Sequence, residues 1–583
     1  MASFLIRQWL QNLDSSLHRN DISSAVLLFQ EKQCFWRDLL AFTWNIYTAE
    51  SRRDIRTMLD ATLASTSPSN WTIDGEAEEA EEGALVQAFI RFETEMAHCR
   101  GYVMLRGGKC WCLLTSMVEL KGYEEKVGCR REVGIQQDAI KGMKRRLHER
   151  EELGVSKQPH CLIVGGGQAG IALGARLRLL EVPTIIVEKG ERPPWNNMYK
   201  SLCLQAPLWY DHLPYVPFPS HWPLFPSRDK MGDWLEAYIK IMELVYWSST
   251  EWKSAKYDAK RRAWRVLVER DGKDIVLYPR ELVLATGMSA LPKVPTIPGA
   301  ESFQGMQCHS MEYTSGENRA GKHCVVVGSN TSAFNICVDL WENQAASITM
   351  LQRSPTHIFR SKTLQESIYS SSDCQTGLDD VDIRLAAIPY KILHKFGTPM
   401  CSKLAEMDAP FYARLKQRGF MLNVMENAYM KYLHRGTGYY IDVGVSDLVI
   451  NGDIKVKGGV TVKEVKPRSV ICSDGEEIMT DVVVYATGFG YMNEWVGKLI
   501  SQEVADKVGK CWGLGSGTLN DPGPWEGELR NMWKPTMQEG LWFHGGTIQQ
   551  ARHYSLVLAL QLKARMEGIP TPMYGLSKVH HTT

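Results

Sequence analysis

The chain has 583 residues, too many for one hydrophobic core, and length alone predicts about three to five domains. Its 67 Lys and Arg nearly balance 66 Asp and Glu, so a net charge of +1 offers no electrostatic footprint for nucleic acid. Fourteen cysteines without any C-x-x-C point to reduced thiols in a cytoplasmic setting, and against a structural metal or a dithiol reductase. Met1 to Gln11 lacks a basic stretch followed by an apolar run, and no run of about 18 apolar residues occurs, so neither a signal peptide nor a transmembrane helix is expected.

Residues 1–135 read as a first unit. A helical stretch is expected around Trp36 to Tyr47, and the acidic patch Glu76 to Glu82 reads as a solvated turn rather than a metal site. Leu85 to Phe92, Gly101 to Leu105 and Cys110 to Thr115 alternate as half-buried strands do. Residues 136–154 read as an exposed linker helix, basic through Lys141, Lys144, Arg145, Arg146 and Arg150.

A nucleotide-binding turn follows. Cys161-Leu-Ile-Val-Gly165-Gly-Gly167-Gln-Ala-Gly170 runs from an apolar strand through glycines into a helix, Ile171 to Leu180. Gly165 allows the tight turn, Gly167 lets backbone approach a pyrophosphate, and Gly170 permits close helix–strand packing, while the helix N-terminus presents unpaired amides. The next strand, Thr184-Ile-Ile-Val-Glu188, ends in an acid close to the spacing of about 20 residues at which a carboxylate accepts from a free ribose diol.

A second turn, Cys324-Val-Val-Val-Gly328-Ser-Asn330-Thr-Ser332-Ala333, is eroded, with Asn330 and Ala333 at two glycine positions. Asparagine tolerates positive φ and alanine is the smallest substitute, so a strained but workable turn is expected, followed by a helix from Phe334 to Trp341. Its second strand, Ile348-Thr-Met-Leu-Gln352, ends at Arg353, the charge that meets a 2′-phosphate. The two turns together suggest FAD first and NADPH second, the alternative being a Rossmann-like unit that has lost its nucleotide. Two further strands end in Ala285-Thr286-Gly287 and Ala486-Thr487-Gly488, small residues that let backbone pass close to a cofactor. The terminal Leu556 to Met566 reads as an amphipathic helix packed on the body.

Between the turns stands Phe303-Gln-Gly305-Met-Gln-Cys-His309-Ser310-Met-Glu-Tyr313, preceded by the proline-rich Leu291 to Gly299. This closely resembles the F-x-G-x-x-x-H-S-x-x-Y element of flavin-containing monooxygenases, and the order of turns and Ala-Thr-Gly strings over about residues 155 to 570 is theirs too. Leu204 to Pro219 and Gly540 to Thr547 resemble strings of the soluble, YUCCA-like fungal branch, and the first unit resembles a SnoaL-like (nuclear-transport-factor-like) α+β cone. The resemblance implies two Rossmann-like α/β domains behind the α+β unit: an FAD-binding domain at 155–315 and 471–583, and an NADPH-binding domain at 316–470.

The activity it implies is insertion of one oxygen atom of O2 into a small organic substrate through an oxygen adduct at flavin C4a, by N-, S- or C-oxygenation in secondary metabolism. Cofactor-binding positions implied are Gly165, Gly167, Gln168, Ala169, Gly170, Glu188, Lys189 and Leu204, with Trp195 and Tyr199 bracketing FAD. Ala285, Thr286, Gly287, Gly328, Asn330, Thr331, Ser332, Arg353, Ser354, Ala486, Thr487 and Gly488 complete the set. Gln205 stands where relatives place an asparagine or histidine near the flavin edge, and is the catalytic candidate. His309 matches the motif histidine, which supports the domain hinge. The apolar, stiff Pro193 to Pro226 suits walls that keep water out. Open alternatives are Baeyer–Villiger oxygenation, whose element usually carries Trp where Tyr313-Thr314 stands, oxidative decarboxylation of a 2-oxo acid, and a non-catalytic dinucleotide-binding scaffold. For the first unit a substrate, dimerising (homodimer) or structural role remains open.

Overall fold

A computed structural model describes residues 1–131, 151–288, 291–367, 377–424, 427–576 and 579. The expected linker helix lies, through residue 150, outside the described residues.

The N-terminal module is α+β. Helices α1 (Ala2–His18), α2 (Ile22–Leu27) and α3 (Arg52–Thr66) accompany strands β1 (Phe35–Leu39), β2 (Ile46–Ala49), β3 (Ser69–Ile73), β4 (Glu78–Ala80), β5 (Leu85–Glu93), β6 (Ala97–Arg106) and β7 (Lys109–Leu120). They form one sheet of order β2-β1-β7-β6-β5-β3, with β4 beside β5, and the three expected alternating segments are its long antiparallel strands β5, β6 and β7. Trp9, Phe29, Trp36, Phe42 and Phe92 fill the interior, each ring burial contributing roughly 1.5–3 kcal/mol. The acidic patch is a short edge strand and a turn, Glu81 pairing Arg106 and Glu78 pairing Arg384.

The helix expected around Trp36 to Tyr47 is instead β1, a turn, and β2. Buried Asp38 is the reason. Its carboxylate accepts from the Phe42 and Thr43 amides (3.0 and 2.8 Å) and from the Thr43 and Thr115 hydroxyls (both 2.7 Å). An acid that recruits amides four and five residues ahead competes with helical hydrogen bonding and favours the turn.

The first sheet after this module is wholly parallel, in the order Tyr246–Trp247, Thr184–Val187, Cys161–Val164, Glu281–Leu284, Leu541–Phe543. Such a sheet is covered on its faces, so its strands are continuous apolar runs. Antiparallel strands Thr250–Asp258, Ala263–Arg270 and Lys273–Leu277 form a small separate sheet. The second parallel sheet runs Met306–His309, Val482–Tyr485, His323–Val327, Ser347–Gln352, Ile454–Gly458. It therefore draws strands from both sides of the expected divisions at 315/316 and 470/471, because parallel neighbours are joined by long crossovers rather than hairpins.

The last helix spans Ile548–Met566 and is buried on nearly every side, Gln561 and Lys563 included, so the expected amphipathic stripe is absent. Helix Gln168–Leu179 covers one side of it and β7 of the N-terminal module another. A helix held between two units has no solvent face to pattern.

Replacing Asp38 with alanine is expected to lower stability by about 3 kcal/mol, since two buried amides and two hydroxyls lose their acceptor; urea unfolding of the full chain measures it.

Candidate active site: two dinucleotide cradles

The first turn is built on clashes that only glycine avoids. Gly165 has φ +112°, and a Cβ there would lie 2.3 Å from the Ala285 carbonyl oxygen. A Cβ on Gly170 would lie 2.0 Å from the Gly165 carbonyl oxygen, so this glycine sets how closely helix Gln168–Leu179 meets its strand. At Gly167 the nearest atom to such a Cβ is Pro194 Cγ at 3.8 Å, leaving open space before the helix N-terminus, and no side chain caps that end. Free amides plus the positive end of the helix make an anion site there. Gln168 Oε1 accepts from Trp195 Nε1 at 3.2 Å, which sets Trp195 across the mouth of the turn, and Ala169 is buried behind it.

Glu188 is buried at the end of its strand. Its two oxygens accept from the Gly166 and Gly190 amides, both at 2.9 Å, which orients the carboxylate beside the turn. Lys189 beyond it is exposed.

The second turn repeats the device. Gly328 has φ +134°, and a Cβ there would lie 2.3 Å from the Ala486 carbonyl oxygen. Each Ala-Thr-Gly string thus closes over the first glycine of one turn, at the end of the strand beside it. Asn330 has φ −105°, so the expected strain is absent and asparagine needs no positive φ here. Ala333 is fully buried at the packing position, and the helix runs Thr331–Glu342, its N-terminus free of a side-chain cap. Ser329 Oγ bonds Thr356 Oγ1 at 2.7 Å, joining the turn to the loop that carries Arg353 and Ser354. Both of those side chains are exposed, and Arg353 has no ion-pair partner among the described residues. Gln352, by contrast, is fully buried and clamps Met421 through both its main-chain groups.

Two buried polar atoms face the region with capacity unspent: Thr286 Oγ1 and Asn330 Oδ1 lack a hydrogen-bond partner among the described residues, and buried His544 lies against the Ala169 backbone of the first helix N-terminus. Burial holds His544 neutral, pushing its pKa down to about 3. Two open helix N-termini with spare donors and acceptors around them fit a pair of dinucleotides.

His309 is buried and neutral, its pKa lowered chiefly by burial. The Met311 amide donates to Nδ1 at 3.1 Å, so Nε2 carries the proton and donates to the Gly488 carbonyl at 3.0 Å. That carbonyl also accepts from the Lys293 amide at 3.0 Å, while Thr487 Oγ1 donates to the Lys293 carbonyl. The histidine therefore ties the connection between the two sheets to the second Ala-Thr-Gly string; Gly287 and Gly488, with φ +80° and +88°, turn the chain away from each strand.

Tyr199 lies elsewhere than expected. It is buried in the core of the second unit, its hydroxyl accepting from Asn335 Nδ2 at 2.9 Å, so it anchors its segment to helix Thr331–Glu342 instead of flanking the first turn. Leu204 is buried, its amide bonded to the Pro226 carbonyl at 2.9 Å, and Gln205 beside it is half-buried.

Sequence reasoning missed a cluster farther along that segment. Arg552 donates through Nε and Nη2 to Asp382 (both 2.9 Å), and through Nη1 to the carbonyls of Tyr210 (2.7 Å) and His212 (3.1 Å). Asp211 between them is buried, its Oδ1 without a hydrogen-bond partner among the described residues, and burial pushes its pKa up to about 7. Tyr432 donates to Gln550 Oε1 at 2.8 Å, and Gln550 forms a capping box with Thr547 at the start of helix Ile548–Met566. Tyr210, Asp211, His212 and Thr547 lay within strings singled out by the sequence, but the bonds of Arg552 to Asp382, Tyr210 and His212 and of Tyr432 to Gln550 each span more than a hundred residues.

Comparison with known proteins agrees with this geometry. The family model described as flavin-binding monooxygenase-like matches residues 188–509. The chain is 31% identical over 360 residues to indole-3-pyruvate monooxygenase YUCCA1 of Oryza sativa subsp. japonica, covering 60% of this chain and 82% of that protein. It is 30% identical over 354 residues to YUCCA4 of the same plant, covering 57% and 74%. A crystal structure of cyclohexanone monooxygenase with bound epsilon-caprolactone shares the fold, at TM-score 0.51 and 16% identity over 70% of this chain and 88% of that one. With more than half its length matched, the chain belongs to the flavin-binding monooxygenase-like family.

Proposed function

We propose that the protein uses FAD in the first cradle and NADPH in the second to place one oxygen atom of O2 on a small organic substrate, by N-, S- or C-oxygenation. The observation that carries this is the duplicated cradle, a positive-φ glycine under an Ala-Thr-Gly carbonyl, with an acid ending the second strand of one and an exposed arginine that of the other. Flavin, reduced by the nicotinamide, supplies the oxygen activation when bound.

The chain's own residues position, discriminate and exclude. Amides 167–169 meet the first pyrophosphate, and Glu188 accepts from the ribose diol with its carboxylate already oriented by Gly166 and Gly190. Thr331 and Ser332 meet the second pyrophosphate, and Arg353 and Ser354 the 2′-phosphate. Gln205 offers an amide beside the flavin edge, and Pro193 to Pro226 walls the site against water. Tyr313 caps buried Asp339 at 2.6 Å, a packing role that sets this chain apart from the Trp-bearing Baeyer–Villiger element. A second reading, oxidative decarboxylation of a 2-oxo acid, draws on the names of the indole-3-pyruvate monooxygenases to which the chain is similar.

The finer placement belongs to the same proposal: a SnoaL-like N-terminal module, the fungal YUCCA-like branch, and secondary metabolism in the cytoplasm. Among the described residues no helix is long and apolar enough to cross a membrane.

Purified full-length protein is expected to hold FAD and oxidise NADPH faster than NADH; a colourless, fully folded protein that takes up no added FAD would refute the reading. Arg353→Ala is expected to lower kcat/KM for NADPH by about 10- to 100-fold while leaving NADH nearly unchanged, and equal losses for both would remove the 2′-phosphate role. Asp211 adds a pH signature. A carboxyl whose folded pKa is raised stabilises most below its unfolded value of about 4, and that contribution is lost as pH rises through about 7. Asp211→Asn should therefore gain on the wild type, by up to about 3 kcal/mol, as pH goes from about 5 to about 8 in urea unfolding.

A further inference from the structure

The N-terminal module meets the flavin unit through a buried cation. Arg37 on β1 has a side chain 1% exposed. Its Nε and Nη2 donate to Glu528 Oε1 and Oε2, each at 2.7 Å, Nη2 also reaches Tyr554 Oη at 3.1 Å, and Nη1 donates to the Ala386 carbonyl at 2.7 Å. Thr48 Oγ1 on β2 donates to Glu528 Oε1 at 2.6 Å, and the guanidinium lies over the Tyr390 ring at 4.8 Å. Charges this deeply buried persist only when every donor is matched, so this contact has one geometry rather than many.

What it touches leads back to the site. Ala386 ends helix Leu378–Ala386, and Asp382, one turn earlier, holds Arg552 through both carboxylate oxygens and Gln549 Nε2 at 2.8 Å. Arg552 in turn holds the carbonyls of Tyr210 and His212, on the segment that carries Gln205. Gln549, Arg552 and Tyr554 occupy the first two turns of helix Ile548–Met566. Tyr554 stacks flat on Trp533, centroids 3.9 Å apart, which fixes the hydroxyl that Arg37 meets. A series of directional bonds, buried at Arg37 and Asp382 and part-buried at Tyr210 and His212, thus runs from β1 through helix Leu378–Ala386 to the wall of the proposed flavin site.

We propose that Arg37 is a positioning residue for the oxygenation: through Ala386, Asp382 and Arg552 the N-terminal module holds segment 205–212 and the start of helix Ile548–Met566 in the arrangement that keeps water from the reacting centre. The proposal rests on the monooxygenase reading above. In coupled turnover NADPH, a proton, O2 and substrate give NADP+, water and oxygenated substrate. In the leak the same NADPH, proton and O2 give NADP+ and hydrogen peroxide. A looser wall favours the leak without removing either nucleotide.

The test uses the full chain loaded with FAD and supplied with NADPH in aerated buffer without added substrate, peroxide release being read beside the flavin spectrum, the Tm and the KM for NADPH. Two variants are compared. Arg37→Lys keeps the charge but loses the planar fork. The double variant Arg37→Met/Glu528→Met removes both members of the pair, so neither charge is left buried without the other, and Glu526 stays beside the neighbouring buried Lys534. Both are expected to fold, retain FAD and keep the KM for NADPH, while peroxide release per NADPH-reduced enzyme rises about tenfold. A purely structural Arg37 would instead let the double variant recover both Tm and wild-type leak. Wild-type leak in either folded, flavin-loaded variant overturns the proposal, and so does failure of both to fold. A wild-type protein that retains no FAD sinks the monooxygenase reading itself, a different outcome.

Discussion

At both nucleotide turns a main-chain carbonyl occupies the space a side chain would need. Ala285 presses on Gly165 and Ala486 on Gly328, each glycine in a left-handed conformation that other residues rarely adopt. This close approach brings the strand that ends in Ala-Thr-Gly against the strand that opens the turn, and so places the helix N-terminus at a definite height above the sheet. Everything that would handle a nucleotide hangs from that spacing: the free amides at 167–169 and 331–332, the carboxylate of Glu188, and Arg353 at the end of its strand.

The two copies differ where their tasks differ. In the first, Gly170 leaves no room even for a methyl group, whereas in the second Ala333 fits and its methyl packs in the core. Erosion of the second motif is thus a change of packing and not a loss of the turn, since its first glycine and the extended backbone at Asn330 are intact. His309 joins the halves by a single neutral imidazole, accepting from one segment and donating to another. A ring that must do both cannot be protonated without breaking a bond, and burial keeps it neutral.

Chain-distant ion pairs hold the larger assembly. Arg37 with Glu528 and Arg552 with Asp382 are buried bidentate contacts that fix orientation more than they add stability, since desolvation offsets much of the attraction. They make the N-terminal module and helix Leu378–Ala386 neighbours of the same terminal helix. That helix is accordingly buried on both flanks, which is why its sequence lacks a clean polar stripe.

Local physics was legible in the residues. Glycines at 165, 167 and 170, an acid at 188 and an arginine at 353 act through backbone reach over at most a few tens of residues, and strands β5 to β7 announce themselves by alternation. Trp36 to Tyr47 misled because Asp38 turns back on the Phe42 and Thr43 amides, and it is buried there against Thr115, on a strand far along the chain. For the same reason no reading of composition or spacing could pair Arg37 with Glu528, seat Tyr199 beside Asn335, or bring strand Val482–Tyr485 next to His323–Val327. The amino-acid order by itself determined two dinucleotide turns and the sign of the charge at each. Tertiary structure alone decided which distant carbonyl closes each turn and which buried charges meet, because those contacts exist only after the chain has paid the entropy of bringing remote segments together.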